Sequence, residues 1–257
     1  MDFFRLTVAD GIGTVTIDRP PVNAMNRQFY AELREVFLGF EDREDIRVVV
    51  LTSASPRAFL AGADLKARLD PAEGPREGHH ATDDLDHQRL ARQAFWAVFD
   101  CPVPVVAAVD GPALGAGLAV IACCDIVISS TRGTFGLPEI NVGLLGGGSF
   151  LLRLVGPTRM RQAFYTGEPI SAAEMLARGA ISEVVPSSQL AQRAQKLAAT
   201  IAAKSPVAIR LAKASLNRAE WLPLKDAYQL EQDYTEKLRG FGESRKAMLA
   251  FVGGDEQ

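Results

Sequence analysis

Three short apolar runs constrain this chain most: VVVLT (48–52), VPVVAAV (103–109) and DIVIS (125–129). Each is rich in β-branched residues, too short for a helix, and followed by a glycine-bearing loop, so each reads as a buried strand. Segments with helical spacing follow most of them. Strand, loop and helix recurring in that order specify an α/β fold with parallel pairing. The chain has 257 residues, 47% of them hydrophobic, enough to bury a full-sized core.

Other elements are legible around these strands. FRLTVADGIGTVTID (4–18) alternates apolar and polar residues around Asp10-Gly11, which predicts a hairpin. In 24–40, Phe29, Leu33, Val36, Phe37 and Phe40 recur at helical spacing. The charged stretch 66–93 has few large apolar residues, holds all three histidines (His79, His80 and His87), and reads as an exposed loop or lid. After Val185-Pro186 only helices are expected. Leu190, Ala194, Leu197 and Ile201 mark one, Ser205-Pro206 caps the next, and Leu224, Ala227, Leu230, Tyr234 and Leu238 mark a third. A short helix is expected from Glu243. The expected division is an α/β core over 1–189 and a helical region over 190–257.

Composition removes several function classes. Lys and Arg total 28 against 31 Asp and Glu, a net charge of −3, so nucleic acid is not an expected partner. The longest apolar run, 102–124, is interrupted by Asp110-Gly111-Pro112, which argues against a membrane span. Cys101, Cys123 and Cys124 form no CxxC pair, and the N-terminus lacks a signal-peptide pattern. A cytoplasmic protein is therefore expected. The histidines fit no metal-ligand spacing, and Ser149 in GGGSF lacks the nucleophile-elbow pattern GxSxG.

The segment VDGPALGAGLAVIACCD (109–125) places three glycines and a proline before an apolar run. No Lys-Ser/Thr follows the glycines, which excludes a P-loop, and Gly111-xxx-Gly115-x-Gly117 is not the dinucleotide order GxGxxG. A strand, a sharp turn and a helix beginning near Gly115 remain. Such a helix start exposes N–H groups at the positive end of the dipole, and small residues let a ligand oxygen reach them. That is the anatomy of an oxyanion hole. Small residues here also suit close helix–strand packing, and this segment alone leaves both readings open. A second small-residue site, AFLAGADLK (58–66), also follows a strand, so two sets of backbone N–H groups can converge on one oxygen.

With both sites present, the sequence resembles the crotonase (enoyl-CoA hydratase/isomerase) superfamily. The likeness runs through RPPVNAMN (19–26), AFLAGADLK, GPALGAGLAVIACCD, FGLPEINVGLLGGG (135–148), LVGPTR (154–159) and TGEPISAAEMLARGAISEVVP (166–186) to the terminal AFV. It implies a spiral of repeated ββα units with a C-terminal helical module that builds trimers or dimers of trimers. It also implies an acyl-CoA substrate whose thioester carbonyl sits between the N–H groups of Ala63 and Ala116 as it becomes an enolate. Coenzyme A enters as part of the substrate, with no permanently bound cofactor. Ala61, Asp64, Leu65 and Lys66 are expected near the CoA nucleotide, with Phe251 lining the adenine pocket. Gly115 forms the turn of the hole, and the glycine cluster around Gly147 helps orient water or a carboxylate.

The same resemblance makes Glu139, in FGLPEINVG, the acid–base residue. Hydratases of the family use two glutamates, and the position of the first is occupied here by Ala119, between Leu118 and Val120. A single carboxylate beside an oxyanion hole suits proton shuttling, so the expected reaction is isomerisation of a 3-enoyl-CoA by Glu139. The alternatives are a hydratase or another lyase or hydrolase working without the first glutamate, and an acyl-CoA-binding member without turnover.

Overall fold

The computed structural model describes residues 1–69 and 81–242. Strands β1 (Phe4–Ala9) and β2 (Ile12–Ile17) precede helix α1 (Arg27–Leu38) and strand β3 (Val48–Ser53). Helices α2 (Leu65–Leu69) and α3 (Ala81–Phe99) lead to β4 (Val105–Val109), β5 (Pro112–Leu114) and α4 (Ala116–Ala122). Strands β6 (Ile126–Ser130) and β7 (Thr134–Gly136), a 3-10 turn over Pro138–Val142, and helices α5 (Gly148–Val155) and α6 (Pro157–Thr166) follow. The rest is β8 (Ile170–Ser171), α7 (Ala172–Ala177), β9 (Glu183–Val185), α8 (Ser187–Ala202), α9 (Pro206–Ala219) and α10 (Leu224–Arg239).

Six strands form the main sheet in the order β1-β2-β3-β4-β6-β9, parallel except for the β1–β2 hairpin. Its turn is the expected Asp10-Gly11, both at positive φ (51° and 79°), the twist a tight hairpin needs. A small sheet, β5-β7-β8, stands apart from it. Two consecutive units, β4-β5-α4 and β6-β7-α5, send their first strand to the main sheet and their second to the small one. This is the ββα repeat that the resemblance implies.

Every residue of β4 and the first four of β3 are buried because both faces of the sheet are covered. Val49, Leu51, Val105, Ala107 and Val109 point into the main core with Phe29, Leu33 and Phe37 of α1. Val48, Val50, Val106, Ala108 and Ile128 point to the other side, where Leu190, Ala194, Ala198 and Ala202 of α8 cover them. Helix α8 is therefore a layer of the core and spans the expected division at 189/190. The later helices α9 and α10 pack on each other as a hairpin.

Within 66–93, the described residues depart from the loop expected for that stretch. Residues 81–99 form α3, whose last turns bury Ala94, Phe95, Ala97 and Val98 against the core. The polar first half, with Asp86 and Arg89 paired at 3.1 Å on its surface, hid that helix from a search for apolar periodicity. His79, His80, the helix expected from Glu243, Phe251 and the terminal AFV lie outside the described residues.

Candidate active site

The site is built by two chain segments that leave the carboxyl ends of neighbouring parallel strands, β3 and β4. They are zipped together by a parallel bridge between Leu60 and Ala113, with Leu60 N–H donating to Pro112 O (3.1 Å) and Leu114 N–H donating to Leu60 O (2.9 Å). Three residues beyond the bridge on either side come Ala63 and Ala116, the two expected oxyanion donors.

A second bridge fixes the direction of Ala63. Met25 N–H donates to Gly62 O (2.8 Å) and Asp64 N–H donates to Met25 O (3.0 Å). Both bonds use the flanking residues, so the N–H of Ala63 itself faces away from Met25. Ala116 is the first residue of α4, where no intrahelical acceptor exists for its N–H. Among the described residues neither donor has a protein acceptor, and both alanines line one cavity.

Glycine is required where the segments touch. A Cβ at Gly62 (φ 97°) would lie 2.8 Å from Leu114 O and 3.7 Å from Ala116 N. Gly115, at φ 55° and ψ −122°, caps α4 in a backbone conformation that side chains rarely adopt.

Glu139 reaches the same place through the small sheet. The β5–β7 ladder pairs Leu114 with Gly136, and Gly115 N–H donates to Gly136 O (2.8 Å). Pro138 then starts the 3-10 turn, in whose first turn Glu139 stands. A Cβ added to Gly115 would run into Glu139 Oε1 and lie 3.3 Å from its Cδ. The carboxylate is thus laid over the turn that leads into Ala116, and its Oε2 is buried. Ala119 lies one helical turn beyond, with its N–H on Gly115 O (3.2 Å), and also lines the cavity, 2% exposed.

The cavity has a volume of about 360 Å³. Its wall includes Ala61, Ala63, Leu65, Gly115, Ala116, Glu139 and Gly147 of the expected set. Among the described lining residues Glu139 is the single carboxylate. Sequence reasoning missed Tyr30, Phe95 and Phe150, which line it too. Tyr30 sits beside Phe29 on the apolar stripe of α1 and was readable there as core. It meets His87 of α3 edge-on at 5.5 Å and Phe95 at 5.9 Å.

Asp64 and Lys66, expected near the nucleotide, are not among the cavity residues. Lys66 is exposed on α2. Asp64 is held by Arg19 (2.9 Å) and accepts from Ala67 N–H (3.2 Å) at the start of α2. Partial burial opposes its charge, but the Ala67 N–H, Arg19 and the Lys66 N–H outweigh it and hold the carboxyl below its ordinary range. Among the described residues no cluster of His, Cys, Asp or Glu could hold a metal ion, and no helix is long and apolar enough to cross a membrane.

Two backbone N–H groups without a protein acceptor and a carboxylate line one cavity, an arrangement able to hold an oxygen as it gains negative charge. The family model for enoyl-CoA hydratase/isomerase matches residues 7–255, and the chain belongs to that family. It is 39% identical over 252 residues to the (7aS)-7a-methyl-1,5-dioxo-2,3,5,6,7,7a-hexahydro-1H-indene-carboxyl-CoA hydrolase of Rhodococcus jostii, covering 98% of this chain and 95% of that one. The Mycobacterium tuberculosis protein of the same name is 37% identical, with 98% and 99% covered. Among solved structures, the enoyl-CoA hydratase of Bacillus anthracis superposes with a TM-score of 0.89 at 29% identity, covering 98% of this chain and 96% of that one. The protein is thus an acyl-CoA enzyme with the crotonase fold.

Proposed function

We propose that this enzyme hydrolyses a carbon–carbon bond in a ring-bearing acyl-CoA that carries a ketone β to the thioester. The observation that carries the reading is the cavity wall at Ala119. Water addition in the family employs two carboxylates, whereas the described wall offers Glu139 alone and has the apolar Ala119 where the other would stand. Hydrolysis needs one base and an electron sink. The hydrolase name shared by the relatives at 39% and 37% identity supports this choice, and the alanines at 61, 91, 116 and 119 leave room for rings.

In the proposed reaction Glu139 takes a proton from water as the water oxygen attacks the ring ketone. The bond between the ketone carbon and the thioester α-carbon breaks, and its electron pair moves into the thioester as an enolate. Ala63 and Ala116 N–H groups hold the enolate oxygen. Glu139 returns the proton to the α-carbon, leaving a new carboxylate and an intact CoA thioester. Isomerisation of a 3-enoyl-CoA is the second reading, since it too needs only the hole and one carboxylate.

The test supplies a cyclic β-oxoacyl-CoA, a 3-enoyl-CoA and a 2-enoyl-CoA separately to wild type and to Glu139→Gln. Turnover of the cyclic substrate, reduced about 10²–10⁴-fold in the variant, is expected. Preference for the 3-enoyl-CoA would establish the isomerase reading, and efficient hydration of the 2-enoyl-CoA would overturn both. CoA binding without any turnover would identify a non-catalytic member. We assign the exposed Leu216, Trp221, Leu224 and Tyr228 of the α9–α10 region to self-association into trimers, which sedimentation would read directly.

A further inference from the structure

The loop 19–26 has no part in the chemistry above, yet it holds the chain on which Ala63 sits. Asn23 anchors it from within: fully buried at φ 53°, it accepts from Arg19 N–H at Oδ1 (2.8 Å) and donates from Nδ2 to Ser53 Oγ (2.8 Å) and Phe59 O (2.9 Å). From this fixed backbone the Arg19 guanidinium spans two segments. Nη1 donates to Ala24 O (2.7 Å) and Nη2 pairs with Asp64 Oδ2 (2.9 Å), while the group lies 5.3 Å over the Phe3 ring. Both charged side chains are mostly buried, 21% and 16% exposed.

Ala63 lies between two residues tied to this loop. Before it, Gly62 O accepts from Met25 N–H; after it, Asp64 is bound through its N–H to Met25 O and through its carboxylate to Arg19. Ala61 N–H on Val22 O (3.2 Å) completes the attachment. The backbone bonds set the strand-like register, and the ion pair resists rotation of the Asp64 peptide away from it.

We infer that Arg19, through Asp64, is a positioning residue that aims the Ala63 N–H at the substrate oxygen. The inference rests on Ala63 being an oxyanion donor, as proposed above. It gives Asp64 a different task from the nucleotide contact expected for it. Removing the guanidinium deletes no group that touches substrate and shifts only the Ala63 N–H, so binding persists while the hole loses its grip on negative charge. Misplacement of a catalytic group by about 1 Å costs up to about 10²-fold.

The test uses acetoacetyl-CoA, a β-oxoacyl thioester whose enolate has its own near-ultraviolet band, in the Glu139→Gln background to suppress turnover. The enolate fraction of the bound probe reports the strength of the hole, and displacement by free CoA reports binding. The hole is expected to enrich the bound enolate. Arg19→Met is expected to lower that fraction about tenfold or more with the dissociation constant within about twofold, and Arg19→Lys to restore much of it. Asp64→Asn, which keeps the shape and removes the charge, is expected to show a loss in the same direction and serves if Arg19→Met fails to fold. An undiminished enolate fraction in folded Arg19→Met or Asp64→Asn would overturn the positioning role while leaving the oxyanion reading intact. No enrichment in the Glu139→Gln protein itself would overturn the oxyanion reading and the positioning role with it.

Discussion

Replacing Gly62 by alanine tests how closely the two halves of the proposed hole are set. The added Cβ meets Leu114 O at 2.8 Å, and Leu114 has little freedom to retreat. Its N–H is bonded to Leu60 O, and the next residue, Gly115, is bonded to Gly136 O. A side chain at φ 97° costs about 1–3 kcal/mol. Forcing the two backbones apart adds about 1–3 kcal/mol more. Together they lower the unfolding midpoint by roughly 5–20 °C for a domain of this size. The effect on rate is separable from this, because a displaced donor costs about 10²–10³ in kcat. Gly179→Ala is the control: its φ is 71°, so the backbone strain is similar, but nothing lies within 4 Å of the new Cβ. Calorimetry should show both variants destabilised, and steady-state kinetics should show kcat falling in Gly62→Ala alone. A folded Gly62→Ala with kcat within about twofold of wild type would refute the placement of the hole.

Three further outcomes follow from other parts of the structure. Ala119→Leu narrows the cavity that Glu139 also lines and should lower kcat/KM for a ring-bearing thioester relative to a short acyl-CoA by about 10–200-fold, read by competing the two substrates. Glu174, bonded to Arg159 (2.7 Å) and Arg178 (2.9 Å), has its carboxyl lowered from the ordinary 4.5 to about 2, chiefly by the Arg159 hydrogen bond. Because the folded value is the lower one, its contribution to stability is complete above pH about 4.5 and fades as pH falls toward about 2. Denaturant titrations of Glu174→Gln should converge with wild type only at the acid end. Burial pushes the thiols of Cys101 and Cys123 up to about 12 and that of Cys124 well above its ordinary range. All three should resist alkylation at neutral pH until the protein unfolds, as mass spectrometry would show.

The parts of the site that were legible in the sequence are those with a local cause. Asp10-Gly11 makes a hairpin, the β-branched runs make covered strands, and small residues after a strand allow N–H groups to stay open, a reading that the second such segment and the resemblance favoured. Residues whose task depends on distant partners were not legible. Arg19 and Asn23 act on Asp64 and Phe59, some 40 residues away in the chain, and a polar residue in a proline-bearing loop carries no mark of full burial. An asparagine just after Pro20-Pro21 is the one local signal in the sequence, since asparagine tolerates the positive φ that Asn23 adopts. Helix α3 was missed because its apolar stripe is confined to the last turns, around Phe95 and Val98. Placing Glu139 on the Gly115 turn needed the β5–β7 ladder, which no spacing within either segment encodes.

In the proposed reaction the bond broken lies between the ketone carbon and the thioester α-carbon, with the thioester serving as electron sink. Turnover of a cyclic β-oxoacyl-CoA in heavy-oxygen water, followed by mass spectrometry of the products, tests it directly. The expected product is a ring-opened acyl-CoA one water heavier, with the label in its new carboxylate and no free CoA thiol. Release of free CoA with the label in the acid from the thioester, or an unlabelled isomer of unchanged mass, would contradict it.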